Sequence, residues 1–322
     1  MIMDFTILKN SVKTFLLSCL GMYDYHHIPH SISQNLDIHY PLDYYIDFRP
    51  KIHYRGRFDP SKVFLLYINH RFGWCYHPIT IFIYGLSAYQ NYLKTGEQDY
   101  MEKMLAQLDW ACKNQQEEGN PIGSWEFDFG FSTYDLKAGW VSGMAQGLGI
   151  SLLLRAWILT QNETYLKKAE LAFRPYHKFV SEGGIRTLFE KKYVFFEEYP
   201  SILPSFVLNG FISSILGIRD LYIFTENKKA EELWEECIET LHFMLPFYDL
   251  GYWSSYDLRR NRINIASDFY HKYHIVQLQL LHLLTGEKIF DTYAEKFESY
   301  RRNWFYRGEA QMKKVFWRLK RL

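Results

Sequence analysis

Cysteine is scarce. The 322 residues hold four, Cys19, Cys75, Cys112 and Cys237, widely separated. None belongs to a CxxC pair and none stands at ligand spacing from a histidine. That argues against a zinc site or a disulfide scaffold and leaves four reduced, mostly buried thiols as the expectation. Net charge is scarce too: 37 Lys and Arg balance 36 Asp and Glu, for a formal +1. The balance argues against a dedicated nucleic-acid binder. No segment of the sequence is read as a transmembrane candidate. The N-terminal run Phe15–Met22, after Lys9 and Lys13, is too short to cross a bilayer, and no small-residue cleavage site is evident. It reads as a docking helix, with export or membrane-surface association as the lesser readings and the cytoplasm as the expected compartment.

Aromatic residues are abundant instead, at 19% of the chain, with 26 Tyr, 25 Phe and 9 Trp. Most must pack in a core. Tyr and Trp also match the flat apolar faces and polar edges of sugars, so a carbohydrate cleft is the functional counterpart.

A punctuation mark recurs four times: Leu93-Lys94-Thr95-Gly96-Glu97, Leu159-Thr160-Gln161-Asn162-Glu163, Phe224-Thr225-Glu226-Asn227-Lys228 and Leu284-Thr285-Gly286-Glu287-Lys288. Its threonines are 65, 65 and 60 residues apart, a repeat period. An apolar run precedes each mark and an amphipathic run follows it, which predicts a buried inner helix and a half-exposed outer one. The pairs expected are 79–94 with 100–113, 147–159 with 165–180, 206–224 with 229–245, and 274–284 with 288–304. Gly or Asn in each mark is expected to take the left-handed C-cap. The fold class is therefore mainly α: an incomplete (α/α) toroid of about four helical hairpins, with a solenoid as the alternative. Three long connections, 114–140, 181–204 and 246–273, each precede an inner helix. They should carry short β segments and gather at one end as the functional face. Residues 1–70 fall outside the repeat and read as an N-terminal extension packed on the core, with 71–322 as the functional domain. Tyr40–Pro50 is expected to be an extended segment packed on the surface.

The candidate chemistry lies on these connections. Glu197, Glu198 and Tyr199 are followed by Pro200 and Pro204, and then by Asn209-Gly210. Tyr256-Asp257-Leu258-Arg259 and Asp268-Phe269-Tyr270-His271, with His274, lie on the third connection. Trp125, Glu126, Asp128 and Tyr134 precede Trp140 and Gln146 on the first. Glu and Tyr can pass protons, and Arg grips a carboxylate through two parallel hydrogen bonds. Each residue also has a structural reading. A lone His is more often a satisfied core residue, and Gly143 and Gly147 are spaced for close helix packing.

In these blocks the sequence resembles the catalytic domain of D-glucuronyl C5-epimerases over about 76–304. The likeness rests on Tyr76-His77-Pro78 with Tyr84-Gly85-Leu86-Ser87, on Gly139-Trp140 through Gly147, and on Phe196 through Phe211. It continues through Tyr256 to Arg259 and through Tyr270-His271 with Gln277-Leu278-Gln279-Leu280-Leu281. It implies an incomplete (α/α) toroid, inversion of glucuronate to iduronate in heparosan-like chains, no metal or redox cofactor, and a homodimer. Carried over by motif, the catalytic residues are Glu198, Tyr199, Tyr256 and Tyr270. Arg259 is assigned to the substrate carboxylate, and Glu197, His271, Trp140, Gln146 and Asn209 to substrate binding. The span from Tyr256 to Tyr270 is shorter than in animal members, and Arg260 stands where they have His.

The residue types suit that reaction. The C5 hydrogen is weakly acidic because a carboxylate is adjacent. The site must neutralise that carboxylate, stabilise the enolate-like state, and hold an acid/base group on each face. Free Glu titrates near ~4.3 and free Tyr near ~10, so both need tuning. Two other readings share these residues. One is a polysaccharide lyase that eliminates the 4-linked sugar; the other is a non-catalytic binder of acidic polysaccharide. In the second, the basic tail Lys313, Lys314, Arg318, Lys320 and Arg321 would contribute, though it reads first as a solvated terminal helix.

Overall fold

The computed structural model describes residues 25–260 and 262–319. Cys19 and the apolar run at 15–22 lie outside them. Contacts divide the chain into two compact units, Ser33–Phe243 and Met1–Ile32 with Met244–Leu322.

The larger unit begins with a three-stranded antiparallel sheet of β1 (Arg57–Phe58), β2 (Phe64–Tyr67) and β3 (Trp74–Cys75). Two hairpins follow: α1 (Pro78–Thr95) with α2 (Gln98–Asn114), then α3 (Gly143–Thr160) with α4 (Glu163–Ala172). A β-hairpin of β4 (Arg186–Phe189) and β5 (Tyr193–Phe196) leads into α5 (Leu208–Thr225), and α6 (Lys228–Tyr248) comes next. Helix α3 packs on both α1 and α5, so the three inner helices lie side by side in chain order. This is the expected mainly helical class, with short antiparallel β pairs in the long connections. Among the described residues α3 alone is long and apolar enough to cross a membrane, and 78% of it is buried inside the protein.

Glycine permits the closest helix contact. A β-carbon on Gly147 would meet Ser214 Cα at 2.6 Å, and one on Gly217 would meet the Gly147 carbonyl carbon at 2.7 Å. Any larger residue at either position would push α3 and α5 apart.

All four punctuation marks end an inner helix in the same way. The residue after the threonine is left-handed: Gly96, Gln161, Glu226 and Gly286, with φ of 71°, 56°, 55° and 74°. Its N–H returns to the carbonyl four residues back, and each threonine hydroxyl donates to the carbonyl four residues before it. Asn162 and Asn227 are thus not the C-caps. Asn162 instead caps the next helix by accepting from Thr164 N–H at 3.0 Å, and Asn227 accepts from Ala230 N–H at 3.1 Å. A short amide side chain satisfies an N-terminal N–H better than it serves in a left-handed turn.

The two helix boundaries furthest from expectation are the end of α4 and the start of α7. Helix α4 stops at Ala172, not near residue 180, because Pro175 cannot continue it and a 3-10 turn, Arg174–His177, takes over. In the third connection α7 (Asp268–Thr285) starts early, with Ser267 as N-cap accepting from Tyr270 N–H at 3.4 Å. Tyr270 and His271 therefore sit in a helical first turn, not in a loop.

The segment 40–50 is not a surface strand. Tyr44, Tyr45, Ile46 and Phe48 are fully buried. Gln90 holds this segment by accepting from Phe48 N–H at 2.8 Å and donating to the Tyr44 and Ile46 carbonyls at 3.2 Å. Arg155, wholly buried, donates to Asp220 at 2.6 Å and to the Pro41 and Leu42 carbonyls at 2.6 and 3.1 Å. Tyr45 donates to the same aspartate at 2.8 Å.

The smaller unit holds the hairpin β6 (Ser255–Asp257) and β7 (Asn264–Ile265), then α7, α8 (Lys288–Arg302) and α9 (Trp304–Leu319). Helix α7 packs on α8, and α9 packs on α8 and β7. Cys75 and Cys237 are buried free thiols and Cys112 is a half-buried one.

Candidate active site

The ten candidate residues fall in two groups, one in each unit.

In the larger unit, β5 runs directly into Glu197 and Glu198. Glu197 is fully buried, and its carboxylate accepts from Ser205 N–H at 3.1 Å, Ser205 Oγ–H at 2.5 Å and Phe206 N–H at 3.1 Å. Its backbone is pinned as well. Its N–H donates to the Ile185 carbonyl, and its carbonyl accepts from Gly143 N–H at the start of α3, both at 2.8 Å. The carboxylate clamps the loop 198–204 shut at its base. The clamp holds Phe206 at φ 51°, a left-handed conformation that costs a bulky side chain of order 1–3 kcal/mol. The Phe206 ring is offset by edge contacts with Phe189 and Phe195 at 5.1 and 5.2 Å.

This clamp sets Glu198 against the first turn of α5. A β-carbon on Gly210 would meet the Glu198 β-carbon at 2.6 Å, so glycine there is what lets the carboxylate lie on the helix. A helix N-terminus favours negative charge. Glu198 is buried at 4% exposure, and neighbouring Asn209 at 1%. Tyr199 is half-buried. It stacks on Tyr134 at 4.3 Å, with Phe131 at 5.1 Å and Trp140 at 5.8 Å. Trp140 lies flat on Phe127 at 3.7 Å and donates to the Phe129 carbonyl at 2.8 Å. Gln146, in the first turn of α3, is fully buried, and its amide donates to the Gly123 and Ala172 carbonyls at 3.0 and 2.9 Å.

In the smaller unit, Tyr256 is placed by a β-bulge. Ser255 pairs with Ile265 and Asp257 with Asn264, which leaves Tyr256 as the extra residue. Bulges re-aim a side chain without breaking the ladder. Ser255 Oγ–H donates to the Asp257 carbonyl at 2.7 Å, and buried Asp257 accepts from Asn264 Nδ2 at 2.6 Å, from Arg262 at 3.3 Å and from the Arg259 N–H at 3.4 Å. The re-aimed ring meets Tyr270 edge-on at 4.8 Å. Arg259 is nearly buried, at 8% exposure. His271 is fully buried and stacks on Trp253 at 3.7 Å. Burial pushes its pKa down to about 3, as it does for His274.

Three contributors have partners that the sequence did not reveal. Ser205 completes the Glu197 clamp. Tyr134, named on the first connection, forms the stack under Tyr199. Lys314, from the basic tail, brings its ammonium 5.8 Å from the centre of the Tyr256 ring and 4.4 Å from that of Trp317, and donates to Asn264 Oδ1 at 2.8 Å. At Lys314 the tail is thus more than a solvated helix, whereas Lys320 and Arg321 lie outside the described residues. Tyr256 and Lys314 stand 58 positions apart in the sequence, with no spacing signal; α9 packed on β7 brings the two together. Among the described residues no cluster of three or more His, Cys, Asp or Glu is placed to hold a metal ion.

Comparison with known proteins gives relatives at two levels, sequence and structure. An uncharacterised protein of Methanocaldococcus jannaschii is 34% identical over 211 residues, 65% of this chain and 67% of that protein. A D-glucuronyl C5-epimerase of Caenorhabditis elegans is 32% identical over 219 residues, 63% of this chain. The match spans only 35% of the nematode protein. Among solved structures, a GH76A alpha-1,6-mannanase from Salegentibacter sp. aligns with TM-score 0.44 and 18% identity, over 65% of this chain and 55% of that one. The family model for the D-glucuronyl C5-epimerase C-terminus matches residues 118–299, which contain both groups of candidate residues, and the chain belongs to that family.

Proposed function

We propose that the protein is an isomerase that inverts C5 of D-glucuronate residues to L-iduronate within a heparosan-like polysaccharide, by removing the C5 proton and returning one to the other face. The observation that carries this reading is membership of the epimerase family across the very blocks that hold Glu198, Tyr199, Tyr256 and Tyr270.

Glu198 and a tyrosine serve as the two proton-transfer groups. The guanidinium of Arg259 binds the substrate carboxylate and spreads the charge that grows there as the proton leaves. The Tyr256 and Tyr270 hydroxyls supply donors to the enolate-like state. Tyr199 and Trp140 contribute the aromatic surface a sugar face packs on, and Asn209, buried at 1% exposure, supports Glu198 at the start of α5. Glu197, Gln146 and His271, assigned to substrate binding by motif, are fully buried; they act by holding these groups in place.

Incubating the protein with heparosan in deuterated water tests the reading. The expected result is deuterium at C5 and the appearance of iduronate. Rising absorbance in the unsaturated-uronate band would instead assign a lyase, and polymer binding with neither change would assign a non-catalytic binder.

A further inference from the structure

The smaller unit contains a polar chain through His271 that takes no part in the proposed proton transfer. His271 Nε2 lies 2.9 Å from the Phe297 carbonyl. A carbonyl only accepts, so Nε2 carries the proton and Nδ1 carries a lone pair. That lone pair faces Ser254 N–H at 3.2 Å and Ser254 Oγ at 2.8 Å. The serine hydroxyl must turn its proton toward it, because two lone pairs would otherwise oppose each other. With its proton committed, Ser254 Oγ accepts from His274, whose Nδ1 is 2.9 Å away. His274 Nε2 is then left bare, buried and without a hydrogen-bond partner among the described residues. The donors run in one direction, from His274 to Ser254 to His271 to Phe297, with both rings neutral.

The chain touches the backbone beside each phenol. Ser254 stands two residues before the bulged Tyr256. His271 follows Tyr270, and His274 lies one helical turn beyond it. Trp253 stacks on His271 with planes 15° apart and donates from Nε1 to the Ala266 carbonyl at 3.0 Å. The start of β6 is thereby tied to the first turn of α7. A strand slipping by one residue would turn Tyr256 to its other face.

We propose that Ser254, His271 and His274 form a neutral, one-directional hydrogen-bond relay that positions Tyr256 against Tyr270. This rests on the proposed function, in which those phenols act at C5. Ser254 is a positioning residue: it acts through the strand and helix it joins. A misplacement of about 1 Å at reacting groups can cost about 100-fold in rate, so a device that fixes phenol separation is read in kcat more than in KM.

The test is C5 deuterium exchange by the full chain with heparosan as substrate. Ser254→Ala should lower kcat about 10- to 100-fold with KM within about twofold. Ser254→Thr, which keeps the hydroxyl, should recover most of the rate. If Ser254→Ala does not fold, the pair His274→Asn and His274→Leu replaces it. Asparagine keeps a donor in place of Nδ1–H and should retain more kcat than leucine. Nitrogen-15 NMR of histidine-labelled protein reads the relay itself: His271 should be the Nε2–H tautomer and His274 the Nδ1–H tautomer, both neutral at pH 5. Opposite tautomers, or a kcat unchanged by Ser254→Ala while the melting temperature falls, would overturn the proposal. A wild-type protein that exchanges no deuterium sinks the proposed function instead, and the tautomers still decide whether the relay exists.

Discussion

The two groups of candidate residues are held by opposite means. Around Glu198 the support is a buried charged group: the Glu197 carboxylate gathers two backbone N–H groups and a hydroxyl, and keeps Phe206 in a costly backbone conformation. Around Tyr256 and Tyr270 the support is two imidazoles pushed to neutrality by burial and joined through Ser254. A charged clamp is strong because hydrogen bonds to an ionised group are worth roughly twice neutral ones. It is also brittle, since deleting it strands every donor it held. A neutral relay is weaker per bond but holds one tautomer and one direction. A loop that must be forced into place uses the first device, and a strand that must keep register uses the second.

The largest expected effect concerns chemistry. Glu198→Gln keeps the shape of the side chain and removes its basicity, so C5 exchange should fall about 100- to 10,000-fold with folding intact. Tyr256→Phe should cost about 100-fold or more, measured in the same assay. If both variants keep wild-type exchange, the catalytic assignment fails in both units.

A smaller effect isolates the clamp. Glu197→Ala leaves buried Ser205 and Phe206 N–H groups without an acceptor and releases the strained turn. The expected loss is about 3 kcal/mol of unfolding free energy, read by denaturant titration. A loss under about 1 kcal/mol would mean the loop is held by its aromatic packing. Gly210→Ala addresses the same loop from the helix side. It should displace Glu198 and lower kcat about 10-fold or more while the melting temperature moves little.

The smallest effect belongs to the relay. His271 and His274 have folded pKa values depressed to about 3 from 6.5, so the unfolded chain binds protons that the folded one refuses. Their contribution is fully present above about pH 6.5 and is lost as pH falls toward 3, by at most about 1.4 kcal/mol per histidine per pH unit. The melting temperature should therefore drop between pH 7 and pH 5, and His274→Leu should remove roughly half of the slope. A flat profile in the wild type would show that neither ring is buried as a neutral base.

Much of the architecture was legible in the sequence because it follows from local rules. The threonine marks fix the helix ends, and apolar runs flanked by amphipathic ones define inner and outer helices. Glu198, Tyr256 and Tyr270 stood out through the motif resemblance, and Glu198 also through its place beside Glu197 and Tyr199 just before Pro200 and Pro204. Less legible were the left-handed Gln161 and Glu226, where the i−4 hydrogen bond outweighs an intrinsic preference for Gly or Asn. The burial of Tyr44 and Tyr45 was missed because polar tips disguise core rings. Ser254 and Ser205, and the partners of Lys314, were missed because a serine or lysine gains a role only from a partner distant in sequence, or from a register that spacing does not encode.

The sequence by itself determined the helical repeat, the family and the residue types at the candidate site, because periodicity, capping and motif order are properties of neighbouring residues. Only the tertiary structure decided that Glu197 is a buried clamp, that a bulge aims Tyr256, and that a neutral Ser254 relay stands behind it. Those outcomes depend on which donors and acceptors are removed from water together, and burial is a property of the packed chain.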